Sequence, residues 1–121
     1  MTVTEKLEYL TERGIDAALG MRYADDSLEF YQELIGIFLE EYETKMPKVK
    51  EAARQPGKDY TVLVHGLKNN AKALGALELA DVAYEHEKAS KAGDTEWIVG
   101  NLPELLAAWE RTVQIFKEMN N

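Results

Sequence analysis

Val64-His65-Gly66-Leu67-Lys68-Asn69-Asn70-Ala71-Lys72-Ala73-Leu74-Gly75 is the stretch on which the reading of this chain turns. At ~100° per residue, a helix through it puts Tyr60, Leu63, Leu67, Ala71 and Leu74 on one face. His65 then lies ~160° around from Leu67, turned away from that apolar stripe. Lys68, Asn69 and Lys72 follow His65 at i+3, i+4 and i+7 and share its side of the helix.

Two readings of His65 compete. It is either a surface histidine with no task or a nucleophilic, phosphorylated imidazole. The second has a chemical basis. A neutral imidazole keeps a free nitrogen lone pair near physiological pH and can attack a phosphoryl group to form a phosphoramidate. The product is anionic, and Lys68 and then Lys72 are the ammonium groups placed to screen it.

More of the chain carries a likeness to a known family. His65-Gly66-Leu67-Lys68 followed by Gly75 resembles the signature of the histidine-containing phosphotransfer (HPt) domain, His-x-Leu-Lys-Gly with a second glycine further along. Gly14-Ile15-Asp16 with Arg22 resembles the family's entry segment. Tyr31, Ile35 and Phe38 resemble its second-helix pattern, and Glu87 with Gly93-Asp94 its ending after the motif. The likeness runs from about Gly14 onward. It implies a phosphorelay carrier in the cytoplasm. His65 would accept a phosphoryl group from a receiver-domain aspartate and pass it on. Its partners would be response-regulator receiver domains and a hybrid histidine kinase. The carrier would be a monomer with no cofactor of its own, and Mg²⁺ would sit on the partner receiver. Gly66, Asn69 and Gly75 would shape the binding surface. Asn69 departs from the pattern, because the family usually has glycine there. Its side chain either bonds a phosphoryl oxygen or crowds the partner. The second outcome keeps a rival alive, a helical scaffold or adaptor that binds receiver or kinase domains without phosphotransfer.

Composition narrows the field. A chain of 121 residues suits one domain spanning 1–121 with one core. Hydrophobic content of 45% is that of a globular protein, while 30% charged residues argue against a membrane protein. No run of ~18 apolar residues is present, so a membrane-spanning helix is not expected. Met1 to Lys6 is not followed by an apolar segment, so it does not read as a signal peptide. The absence of cysteine excludes disulfides and thiolate zinc sites. A net charge of −8 disfavours nucleic acid, although the surface around Lys68 and Lys72 reads as locally basic.

The remaining segments read as helices. Thr2-Val3-Thr4-Glu5 is a capping box for a short first helix that Gly14 stops. Asp16 caps a short turn through Leu19, and Arg22 reads as a salt-bridge partner. Asp26-Ser27-Leu28-Glu29 repeats the capping-box pattern, with Asp26 in the cap position, and opens a long helix with Tyr31, Leu34, Ile35, Phe38 and Tyr42 on its apolar face. Pro47 either kinks this helix or starts a new one. Gln55-Pro56-Gly57-Lys58 is a loop, Asp59 the expected cap of the motif helix, and Gly75 its end. On the next helix Leu77, Leu79, Val82, Ala83, His86 and Ala89 point inward, while Glu85, Glu87, Lys88 and Lys91 read as solvated. His86 is either a hydrogen-bonded core histidine, paired with Tyr84 or a backbone carbonyl, or a second reactive one lacking lysines at i+3 and i+7. Thr95 is the expected cap of a last helix, with a bend or restart at Pro103. The pattern is all-α: an antiparallel four-helix bundle with one or two short additional N-terminal helices.

Several chemistries are excluded. The Glu-x-x-His pairs of di-iron bundles are missing, since Val62 and Ala83 stand three residues before the two histidines. There is no His-Glu-x-x-His, no nucleotide-binding Gly-x-x-x-x-Gly-Lys-Ser/Thr loop and no Gly-x-Ser-x-Gly elbow, so no metal site or kinase activity is expected.

Overall fold

In the computed structural model, which describes residues 1–120, regular structure is entirely helical. Six helices follow one another: α1 (Val3–Glu12), α2 (Ala17–Tyr23), α3 (Leu28–Ala52), α4 (Lys58–Ala73), α5 (Leu77–Lys91) and α6 (Thr95–Met119). The four long helices contact in a ring, α3 with α4, α4 with α5, α5 with α6 and α6 with α3. Tyr31, Ile35, Tyr60, Val64, Leu79, Ile98, Leu105 and Phe116 meet in the shared core, each with almost no exposed surface. α1 packs on α2 and α6, and α2 on α3 and α4.

The start signals explain most of the boundaries. Thr2 and Glu5 form the reciprocal capping box, and the Asp16 carboxylate accepts from the Leu19 N–H. Three expected caps are displaced by one or two residues. Asp26 lies in the left-handed region at φ 59°, so it cannot take the extended cap conformation. Ser27 does so, and its hydroxyl accepts from the Phe30 N–H. α4 starts at Lys58, with Gly57 at the cap and no side-chain bond. This leaves Asp59 inside the first turn, where its charge meets the positive end of the helix. Asp94, not Thr95, caps α6 by accepting from the Trp97 N–H at 3.1 Å.

Neither proline breaks its helix. α3 runs through Pro47 and α6 through Pro103, both on exposed faces where solvent can take the carbonyl each one frees. Arg22 is exposed and forms no ion pair among the described residues, contrary to expectation. Leu77, expected inward, is 37% exposed. The buried stripe of α5 is instead Leu79, Ala80, Ala83, His86 and Glu87, at i, i+1, i+4, i+7 and i+8.

One corner locks the short helices to the long ones. Gly75 turns the chain from α4 to α5 at φ 82°, and its carbonyl accepts from the Asp16 N–H at 2.8 Å. Beside it, the buried Tyr31 hydroxyl donates to the Leu74 carbonyl at 2.7 Å. This corner fixes the far end of α4 and leaves the middle of the helix, where His65 sits, open on its outer side.

Candidate functional site

α4 buries Val64 and Leu67 and, between them, turns His65 outward with its side chain 52% exposed. The ring is not free. His65 Nδ1 lies 2.7 Å from Glu87 Oε2, across on α5. Lys68 Nζ, one turn along α4, donates to Glu87 Oε1 at 2.7 Å. Lys91 Nζ, one turn further along α5, reaches Glu87 Oε2 at 3.1 Å. A single carboxylate therefore gathers an imidazole and two ammonium groups.

Glu87 was expected in solvent, and this is corrected: only 2% of the residue is exposed. Its position on the α5 stripe, four residues after Ala83 and eight after Leu79, carried the signal. What makes burial tolerable is the set of three donors, since an unpaired carboxylate there would be costly. Burial alone would raise its pKa. Hydrogen bonds from Lys68, His65 and Lys91 more than offset that and hold it at about 2. A carboxyl whose pKa is depressed on folding adds stability above its unfolded value of about 4.5 and loses it as pH falls toward 2. The parent chain is thus expected to melt above Glu87→Gln at pH 6. The gap should narrow steadily between pH 4.5 and 2; scanning calorimetry across that window checks it, and a constant gap would contradict the assignment.

The partners also fix the ring's tautomer. A carboxylate only accepts, so Nδ1 carries the hydrogen, and in the neutral ring Nε2 is left with its lone pair. Nε2 lies on the exposed side, and its hydrogen-bonding partner among the described residues is Asn69 Nδ2 at 3.1 Å. The arrangement orients an imidazole through one nitrogen and leaves the lone pair on the other.

The other expected site residues divide. Lys68 is at the site, but its charge is committed to Glu87, and its ammonium also lies 5.3 Å from the Tyr84 ring. Lys72 is exposed and in no ion pair among the described residues. With Lys68, Asn69, Leu77, Asp81 and Tyr84 it lines a shallow groove beside the imidazole. Gly66 adjoins His65, and a methyl group there would touch nothing within 4 Å. Gly75 does not join this surface. It lies ten residues on, roughly 15 Å along the helix, and serves the α4–α5 corner. Glu87 is the member that reading the sequence left in solvent; Lys91 is exposed as expected, and its ammonium reaches back to Glu87.

His86 is sealed, with no exposed surface. The Tyr60 hydroxyl donates to Nδ1 at 2.8 Å, and Nε2 donates to the Asn101 carbonyl at 3.1 Å. The ring edges against Trp97. Burial pushes its pKa down, although the Asn101 carbonyl pulls the other way. The core reading of His86 stands, with Tyr60 in the place expected of Tyr84. Both its nitrogens are engaged, and it carries no open lone pair.

Among the described residues no three His, Asp or Glu side chains gather where they could hold a metal ion, and no helix is long and apolar enough to cross a membrane. No family model matches the chain, and neither does any curated protein or solved structure.

Proposed function

We propose that this chain is a histidine phosphotransfer domain of a phosphorelay. In this reading the four long helices form an antiparallel bundle, consistent with the short connections between α4 and α5 and between α5 and α6. His65 Nε2 takes a phosphoryl group from the phospho-aspartate of a receiver domain and passes it to another. The observation that carries the reading is the division of labour on one ring: Nδ1 held by a buried carboxylate, Nε2 left with its lone pair on the exposed side of α4 next to Asn69.

The geometry suits the chemistry. Phosphorylation at Nε2 leaves a positive ring whose Nδ1–H points at Glu87, an anion already in place. The receiver's Mg²⁺ and acidic pocket would stabilise the transferring group, and this chain supplies an oriented nucleophile. Of the lysines around the imidazole, Lys68 and Lys91 are paired with Glu87 and Lys88 with Glu85, so Lys72, in no ion pair among the described residues, is the one whose charge is left to meet an acidic partner. A cytoplasmic monomer working between a hybrid histidine kinase and response regulators fits this role.

The test is labelling by a panel of phosphorylated receiver domains. The expected product is acid-labile, base-stable phosphate on the peptide containing His65. Absence of label across a panel that binds the chain would favour the adaptor instead. Asn69, which occupies the outward nitrogen, is the observation on that side.

A further inference from the structure

Asn69 stands one turn after His65 on the outer face of α4, and its Nδ2 lies 3.1 Å from the nitrogen that would do the attacking. The direction of that bond follows from the rest of the network. Glu87 takes the Nδ1 hydrogen, so Nε2 of the neutral ring can only accept. The side-chain amide of Asn69 must then be turned with its NH₂ toward the ring. Its carbonyl oxygen has no other partner among the described residues.

We propose that Asn69 is a latch on the nucleophile: its amide covers the Nε2 lone pair in the resting protein and swings to a phosphoryl oxygen once Nε2 carries phosphorus. This rests on the phosphotransfer reading and adds a control element to the same site.

The lone pair cannot be shared. While it accepts from the Asn69 N–H, it is unavailable to an incoming phosphorus. In the transfer step the amide lets go and Nε2 attacks the phosphorus of the aspartyl phosphate. The N–P bond forms as the P–O bond to the donor carboxylate breaks, and that electron pair leaves with the carboxylate. No proton has to depart, because Nδ1 keeps its hydrogen toward Glu87. The phosphoryl oxygens then lie within a turn of the helix from the released amide, which is a donor without a partner. Asn69 has the same chemistry to offer both states, a neutral N–H that opposes the first step and favours its product. The bond is solvent-exposed and neutral, so its effect is a brake and not a block.

Two readouts separate the latch from the reading it rests on. Diethyl pyrocarbonate acylates unprotonated, accessible imidazole nitrogen and needs no phosphodonor. His86, sealed in the core, adds no background. Removing a neutral exposed hydrogen bond is expected to speed acylation of His65 by about two- to tenfold in both Asn69→Ala and Asn69→Leu. Leucine matters because it keeps the bulk and loses the donor. A rate raised in alanine but not in leucine would mean simple steric cover and overturn the latch, as would no change in either. In the second readout, phosphorylated Asn69→Leu chain is expected to lose its label several-fold faster than the parent in partner-free buffer. An equal lifetime overturns the phosphoryl half. If the parent takes no label from any receiver, the functional reading fails along with that half, and the acylation rates still decide whether Asn69 holds the lone pair. Helical circular dichroism of both variants verifies the fold, which an exposed helical position should leave intact.

Discussion

The His65→Gln chain is expected to take no acid-labile phosphate from any receiver domain that labels the parent, a loss limited only by detection. Glutamine keeps the bulk and polarity of the side chain but has no nucleophilic nitrogen, so the change removes chemistry and little else. The ring's packing is slight, and its bond to Glu87 is one of three that the carboxylate receives. Losing it should cost about 1 kcal/mol or less, a fall in melting temperature of only about 4 °C for a chain of this size. Phosphate labelling followed in parallel with thermal melting by circular dichroism checks both halves. Label that persists would move the role to another side chain. It would not point to His86, whose nitrogens are bonded to Tyr60 and Asn101 behind a closed surface.

Gly75→Ala is expected to be the most damaging small change to stability. A Cβ at position 75 would come within 2.1 Å of the Asp16 carbonyl oxygen and 2.7 Å of its carbon. Both are backbone atoms and cannot rotate away. The position also holds φ at 82°, where an L side chain costs about 1–2 kcal/mol. To make room, α2 must move off the α4–α5 corner. That movement breaks the Asp16 bond to the Gly75 carbonyl and disturbs the Tyr31 bond to Leu74. The combined loss should be about 3–5 kcal/mol, at the large end for one substitution because overpacking and backbone strain act together. Urea unfolding followed by tryptophan fluorescence reads it: the midpoint should fall sharply with an unchanged slope. A loss below about 1 kcal/mol would show that α2 is not held at this corner.

The helices and the outward placement of His65 were legible in the sequence because both are local. The apolar stripe of α4 needs only 3.6-residue periodicity, and the capping box at Thr2 needs only three residues of spacing. Caps at Asp26, Asp59 and Thr95 were misplaced because neighbouring residues compete for one role, and backbone dihedrals decide between them. Glu87 was misread for a different reason. A charged residue is given to water by default, and the three donors that justify its burial come from two helices. Two of them, His65 and Lys68, lie about twenty positions earlier. Only the pairing of α4 with α5 brings them together. The contact between Asn69 and His65, by contrast, is an i, i+4 pair that helical spacing alone could have named.

Nothing in the fold calls for a glycine at position 66. It sits in the middle of α4 with helical geometry and open space where a side chain would begin. Alanine would make the helix about 1 kcal/mol more secure. The protein forgoes that firmness and keeps a bare strip of main chain next to its exposed imidazole.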